Sequence, residues 1–279
     1  MEMRMKIKKN DLILALLVFV GISILLYPTI SNKWNAYRNS KLISQYKKNV
    51  SSLSKEKAAS MIEAAKKYNQ TLGTPKVPDA FSIRDGKRDK QYDSLINMGD
   101  GMMGYVEVPS IDVNLPLYHY TFDSVLLKGA GHLFGSALPV GGESTHSVVS
   151  AHRGLPSEKM FTDLNLLEKG DEFYYHILGE TYAYKVDRIQ VIEPSDVKYL
   201  SIEYKKDYST LVTCTPYGVN TQRLLVRGHR IPYRKKKSAV KKHDNTINLV
   251  FLQVVSAIAG VLLAIVIYYV YKRKIIKEI

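Results

Sequence analysis

The chain has 279 residues, 40 Lys and Arg against 26 Asp and Glu, a formal charge of +14, and one cysteine. That length allows a sizeable core in one or two domains, and a single thiol excludes an internal disulfide. The positive charge does not mark a nucleic-acid partner. Residues 1–9, 234–242 and 272–279 hold +3, +6 and +3 of it, so it flanks apolar segments, as at membrane edges.

Residues 1–11 form a basic tail. Residues 12–26 are almost uniformly apolar, and Ile30 extends the run past Tyr27-Pro28-Thr29. No small-x-small cleavage site follows, so residues 12–30 are expected to be an uncleaved transmembrane anchor, with a cleaved signal as the alternative. Residues 31–100 are expected to be an extracellular helical region. Apolar positions near helical spacing (Leu42, Tyr46, Val50, Leu53) predict two helices over residues 33–72, joined near 50–54. A polar loop follows, with a short helix near residues 90–96.

From Gly104 the period changes to two. Strands are predicted over residues 105–109, 113–118, 147–151, 172–177, 182–192, 210–213 and 222–230. Their Gly and Pro punctuation makes residues 101–232 a mainly β unit, a barrel or a sandwich. A short helix is expected to start at Ser157, with Ser157 as its cap. Residues 233–246 form a basic linker. Residues 247–271 are apolar over a length that spans a bilayer, and residues 272–279 are a second basic tail. Lys at both extremes places both termini in the cytoplasm and the middle outside, although the basic linker opposes that assignment.

Cys214 sits in Thr213-Cys214-Thr215-Pro216-Tyr217-Gly218, after the apolar Leu211 and Val212, and Arg223 follows nine residues later. A lone thiol is either an inert core residue or a nucleophile. A strand–turn–strand unit would put Cys214 at a strand end with Arg223 near it. There a guanidinium can lower a thiol pKa and hold an oxyanion. His152 ends another apolar strand and enters Arg153-Gly154-Leu155-Pro156, a normal place for a catalytic side chain. The seven histidines lack short paired spacing, so a zinc site is not expected. Arg227 shares the Arg223 face of the strand; it and Arg230 are expected to form ion pairs at the barrel edge.

This stretch closely resembles the active-site signature of the sortases, and most of all class C, the pilin polymerases of Gram-positive bacteria. The resemblance runs from about residue 41 to residue 232. It implies a sortase-type closed β-barrel with short helices, preceded by the helical region and flanked by the two transmembrane helices. It implies Cys214 as nucleophile, His152 as acid and base, and Arg223, with Thr213 and Thr215 nearby, for the oxyanion and substrate. His132, in Gly131-His132-Leu133, matches a family element and is expected to support the site or the barrel. The family's lid carries Asp-Pro and then an aromatic residue; here the order is Asp79-Ala80-Phe81. By resemblance Asp79 would pair with Arg223 and Phe81 would lie over Cys214; an ordinary polar loop is the alternative.

The resemblance further implies a monomeric enzyme with no cofactor. Its substrate would be a pilin or surface protein with a Leu-Pro-x-Thr-Gly-like motif. A housekeeping cell-wall sortase and a non-catalytic membrane-anchored binding protein are the alternatives. Ala80 lacks the φ lock of proline, which predicts a more mobile lid over residues 76–90 than in relatives with proline. Hydrogen exchange there as slow as in the barrel strands would contradict this.

Overall fold

The computed structural model describes residues 9–73, 77–83, 86, 88–99 and 101–234, with the backbone alone for residues 9–16. The predicted second span, residues 247–271, lies outside the described residues.

Helix α1 runs from Lys9 to Ser51 without interruption, with Pro28 inside it. Proline removes one intrahelical hydrogen bond, yet the predicted anchor and the first extracellular helix are one element. A helix from Leu17 to Ser51 is long and apolar enough to cross a membrane. Helix α2, Lys55–Thr71, starts where the sequence predicts a break: Ser54 caps it by accepting from Lys57 N. Helix α3, Lys90–Ser94, is capped by Asp89 through Tyr92 N.

Eight strands follow: β1 Met102–Val108, β2 Val113–His119, β3 Ala130–His132, β4 Thr145–Ser150, β5 Glu172–Ile177, β6 Glu180–Ile192, β7 Asp207–Thr215 and β8 Gln222–Ile231. They close into a barrel of order β1-β2-β3-β4-β7-β8-β6-β5. The β2–β3 and β4–β7 pairs are parallel and the others antiparallel. A four-residue helix, α4 Asp123–Leu126, joins β2 to β3. The core is rich in tyrosine. Tyr175 and Tyr184 are fully buried beside Phe173, and the Tyr175 hydroxyl is satisfied by Ser209 Oγ at 2.7 Å.

Seven of the eight strands match the expected ones to within a few residues. β3 was not among them, because three residues are too short to show a period. Gly131 is required there, since a Cβ would overlap Tyr120 O. β7 runs through Cys214 to Thr215 rather than stopping at Thr213.

The helix expected from Ser157 does not form. Met160 takes a positive φ of 40°, which ends any helical run after three residues. The segment is held instead by α1. Ser157 O accepts from Ser31 Oγ and Asn35 Nδ2, each at 2.7 Å, and the buried Glu158 carboxylate accepts from Asn39 Nδ2 at 2.7 Å and Arg38 Nη2 at 3.3 Å. The turn that does form is a 3-10 turn at Leu164–Leu166.

Burial pushes the Glu158 pKa up, and Asn39 and Arg38 oppose that shift. Asn39→Ala removes one of these partners from a buried carboxylate and is expected to lower stability by about 1–3 kcal/mol. The shift in urea midpoint, followed by near-UV circular dichroism, checks it.

Candidate active site

The β7–β8 pairing places Cys214 directly opposite Arg223, and β6 places Ile192 on the other side of Arg223. Residues facing each other across a ladder are only about 5 Å apart at Cα, so the thiol and the guanidinium rise from adjacent strands. β4 runs parallel to β7, with Ser150 level with Val212. Ala151 N continues the ladder to Val212 O at 3.3 Å. His152 follows, which brings it level with the cysteine.

Thr213 and Thr215 point away from the Cys214 face, as strand alternation requires. Thr213 is fully buried and donates to Ala151 O at 2.8 Å. Thr215 Oγ1 accepts from Arg153 Nη1 at 2.9 Å. Both hydroxyls brace the Cys214 strand against the His152 loop. Arg153 is the hub of that brace, with Nε also donating to Thr162 O at 3.1 Å and Nη2 to Asn165 Oδ1 at 2.8 Å. Its partners lie 9, 12 and 62 residues away in sequence, so no local pattern marks it. Gly154, at φ 78°, accepts the Tyr217 ring against its Cα, where a Cβ would sit 3.2 Å from the ring.

The loop carrying Asp79 lies over this face. The Asp79 carboxylate holds Arg223 bidentately, Oδ1 to Nε at 2.7 Å and Oδ2 to Nη2 at 2.8 Å, with both side chains about nine-tenths buried. Arg223 Nη1 donates to Asn220 O and Gln222 O, both at 3.1 Å. Four of the five guanidinium N–H groups are thus engaged. The Phe81 ring is 5.2 Å from the guanidinium carbon and 5.8 Å from the His152 ring, so it spans the two groups that flank Cys214. Val77 and Ala80 are buried in a cluster with Leu133, Val148, Val212 and Leu225, and Ser82 closes a turn back to Asp79 O. The loop is closed.

Closure sets the protonation states. Cys214 is buried. Burial pushes its thiol up, the nearby Arg223 charge pulls it down, and Asp79 pushes it up again. Burial pushes His152 below the usual imidazole range, opposed by the charge of Asp123 on α4. Around neutral pH the pair is therefore thiol and neutral imidazole. Asp123 is the acidic neighbour of the histidine that the sequence did not single out.

His132 is fully buried and does not join this group. Its Nδ1 accepts from the Tyr92 hydroxyl at 2.6 Å and its Nε2–H donates to Ala137 O at 2.8 Å, and burial lowers its pKa to about 3. It holds Tyr92 and the loop after β3. Arg227 forms the expected ion pairs, bidentate to Asp187 at 3.0 Å and to Glu203 at 3.1 Å. Arg230 instead lies over the Tyr182 and Tyr184 rings.

Asp79→Ala removes a charge that raises the thiol pKa and leaves the Arg223 charge that lowers it. The rate of Cys214 alkylation against pH should shift to lower pH in this variant. An unchanged or higher midpoint would contradict the electrostatic reading.

A sortase-domain family model matches residues 106–231. Sortase C of Streptococcus pneumoniae is 41% identical in its solved structure, with a TM-score of 0.66, and the match covers 71% of this chain and 100% of that one. Sortase C1 of Streptococcus agalactiae is 44% identical, with a TM-score of 0.63 and coverage of 70% and 100%. Sortase D of Bacillus subtilis is 26% identical over 171 residues, 60% of this chain and 79% of that protein. With a closed eight-stranded barrel and this degree of identity over whole solved domains, the chain belongs to the sortase family.

Proposed function

We propose that the chain is a class C sortase, a membrane-anchored cysteine transpeptidase that joins pilin subunits. The observation that carries the class is the lid. Asp79 pairs with Arg223, and Phe81 lies against both Arg223 and His152, the two groups beside Cys214; the solved relatives named above are sortases C. The structure of the Streptococcus pneumoniae relative is described in terms of pilin substrate specificity.

Once the lid lifts, Arg223 loses its carboxylate and the thiol gains water. The Arg223 charge then favours the thiolate, and the thiol proton passes to the neutral His152 imidazole. The thiolate attacks the Thr carbonyl of a Leu-Pro-x-Thr-Gly-like signal, and Arg223 with a backbone N–H near Thr215 holds the oxyanion. The Thr–Gly C–N bond breaks as His152, in its imidazolium form, gives a proton to the departing amine. A thioacyl enzyme remains. A lysine amine attacks it, neutral His152 takes the amine proton, and the thiolate leaves as the isopeptide bond forms. Asp123, by favouring the imidazolium, assists the first half of this cycle. No cofactor takes part. The enzyme acts as a monomer, with both termini in the cytoplasm and the barrel outside.

A housekeeping sortase that uses a peptidoglycan amine is the second reading. What favours it is that other curated relatives, 24–28% identical, are sortases A, among them that of Listeria monocytogenes at 26% identity over 82% of this chain. Acceptor choice separates the two.

Full-length protein in detergent, given a Leu-Pro-x-Thr-Gly peptide and a lysine-bearing pilin domain, should release the Gly fragment and form the conjugate. Cys214→Ala should abolish both. Arg223→Ala should lower kcat/KM by about 10²–10³-fold, the loss expected for an oxyanion donor. Turnover by Cys214→Ala would overturn the mechanism, and conjugation to peptidoglycan amines alone would favour the second reading.

A further inference from the structure

α1 leaves its apolar stretch at Ile30 and meets the barrel at the next residue. Ser31 and Asn35 donate to Ser157 O, and Arg38 and Asn39 to Glu158. Two turns on, Ile43 and Tyr46 are buried with Met102, Tyr105 and Tyr118. The Tyr46 hydroxyl donates to Met103 O at 3.0 Å and accepts from Leu178 N at 2.8 Å. No flexible linker separates the apolar stretch from these contacts, since the helix is continuous.

Strand directions orient the helix on the barrel. β4 and β7 end, and β8 begins, at the end that holds Cys214, Arg223 and His152. Ser157 and Glu158 belong to the loop that leaves this end. β5 ends and β6 begins at the opposite end, and the Leu178-Gly179 turn there meets Tyr46 and Val50. α1 therefore descends the barrel wall from the catalytic end to the far end. The lengths agree: residues 31–50 of a helix rise roughly 28 Å, and a nine-residue strand such as β7 roughly 27 Å.

Trp34 and Tyr37 are 66% and 63% exposed, with ring centroids 6.2 Å apart. They lie one and two turns past Ile30, on the helix side away from the barrel. Aromatic residues at this depth mark a membrane–water boundary.

We propose that the catalytic end of the barrel faces the lipid bilayer, with α1 as a rigid strut, and that Trp34, Tyr37 and the Pro156 loop sit at headgroup level. The peptide reaching Cys214 is then one presented at the membrane surface. The proposal rests on the apolar part of α1 being a membrane span, and the test separates the two.

Trp34 is the only tryptophan and Cys214 the only cysteine, so each probe reports one place. The full chain is reconstituted in phosphatidylcholine vesicles carrying a headgroup nitroxide lipid. In a Cys214→Ala background, bimane is attached at Pro156→Cys, an exposed position of the catalytic-end loop, or at Tyr204→Cys, 81% exposed before β7 at the far end. The proposal predicts loss of most of the emission from Trp34 and from the Pro156 label, with the Tyr204 label unquenched. A quenched Trp34 with equal quenching of the two labels, or more at Tyr204, would overturn the orientation while leaving the span intact. An unquenched Trp34 would overturn the span and the proposal with it.

Discussion

The register of β7 against β8 is the constraint on which the site depends. It sets Cys214 opposite Arg223, and a slip of one residue in either strand would turn one of the two side chains to the other face. Closure of the barrel prevents such a slip, because every strand is held on both sides. The parallel β4–β7 pair then fixes His152 beside them, with Thr213, Thr215 and Arg153 as cross-braces beneath the site.

Arg223 has two competing roles. In the closed state it is clamped by Asp79 and covered by Phe81, and burial dominates the thiol. The same positive charge, once uncovered, favours the thiolate. In the proposed mechanism lid and substrate therefore compete for one guanidinium, and the closed lid keeps the Cys214 thiol protonated without any change in the barrel.

The grouping of Cys214, Arg223 and His152 at one end of the barrel was legible in the sequence because each lies in a short local pattern at a strand end. The Asp79–Arg223 pair was legible only through family resemblance, since 144 residues separate the partners. Arg153 and Asp123 were not legible: their partners come from distant segments and no spacing marks them. The predicted helix at Ser157 failed for the same reason, because tertiary contacts from α1 and the positive φ at Met160 override a local cap signal. The hydroxyls of Thr213 and Thr215 brace the strand from its other face, a placement that strand alternation alone anticipates once β7 extends through Cys214. That the predicted anchor and the helix after it form one unbroken α1 was not legible, because the sequence reading treated them as separate elements.

In the proposed enzyme, Asp79 restrains acylation by holding Arg223. A double-mutant cycle of single-turnover acylation by a Leu-Pro-x-Thr-Gly peptide, read by intact-mass spectrometry, measures that coupling. Asp79→Ala should accelerate thioacyl formation when Arg223 is present and have little effect in the Arg223→Ala background. Equal acceleration in both backgrounds, or none in either, would mean that Asp79 does not act through Arg223.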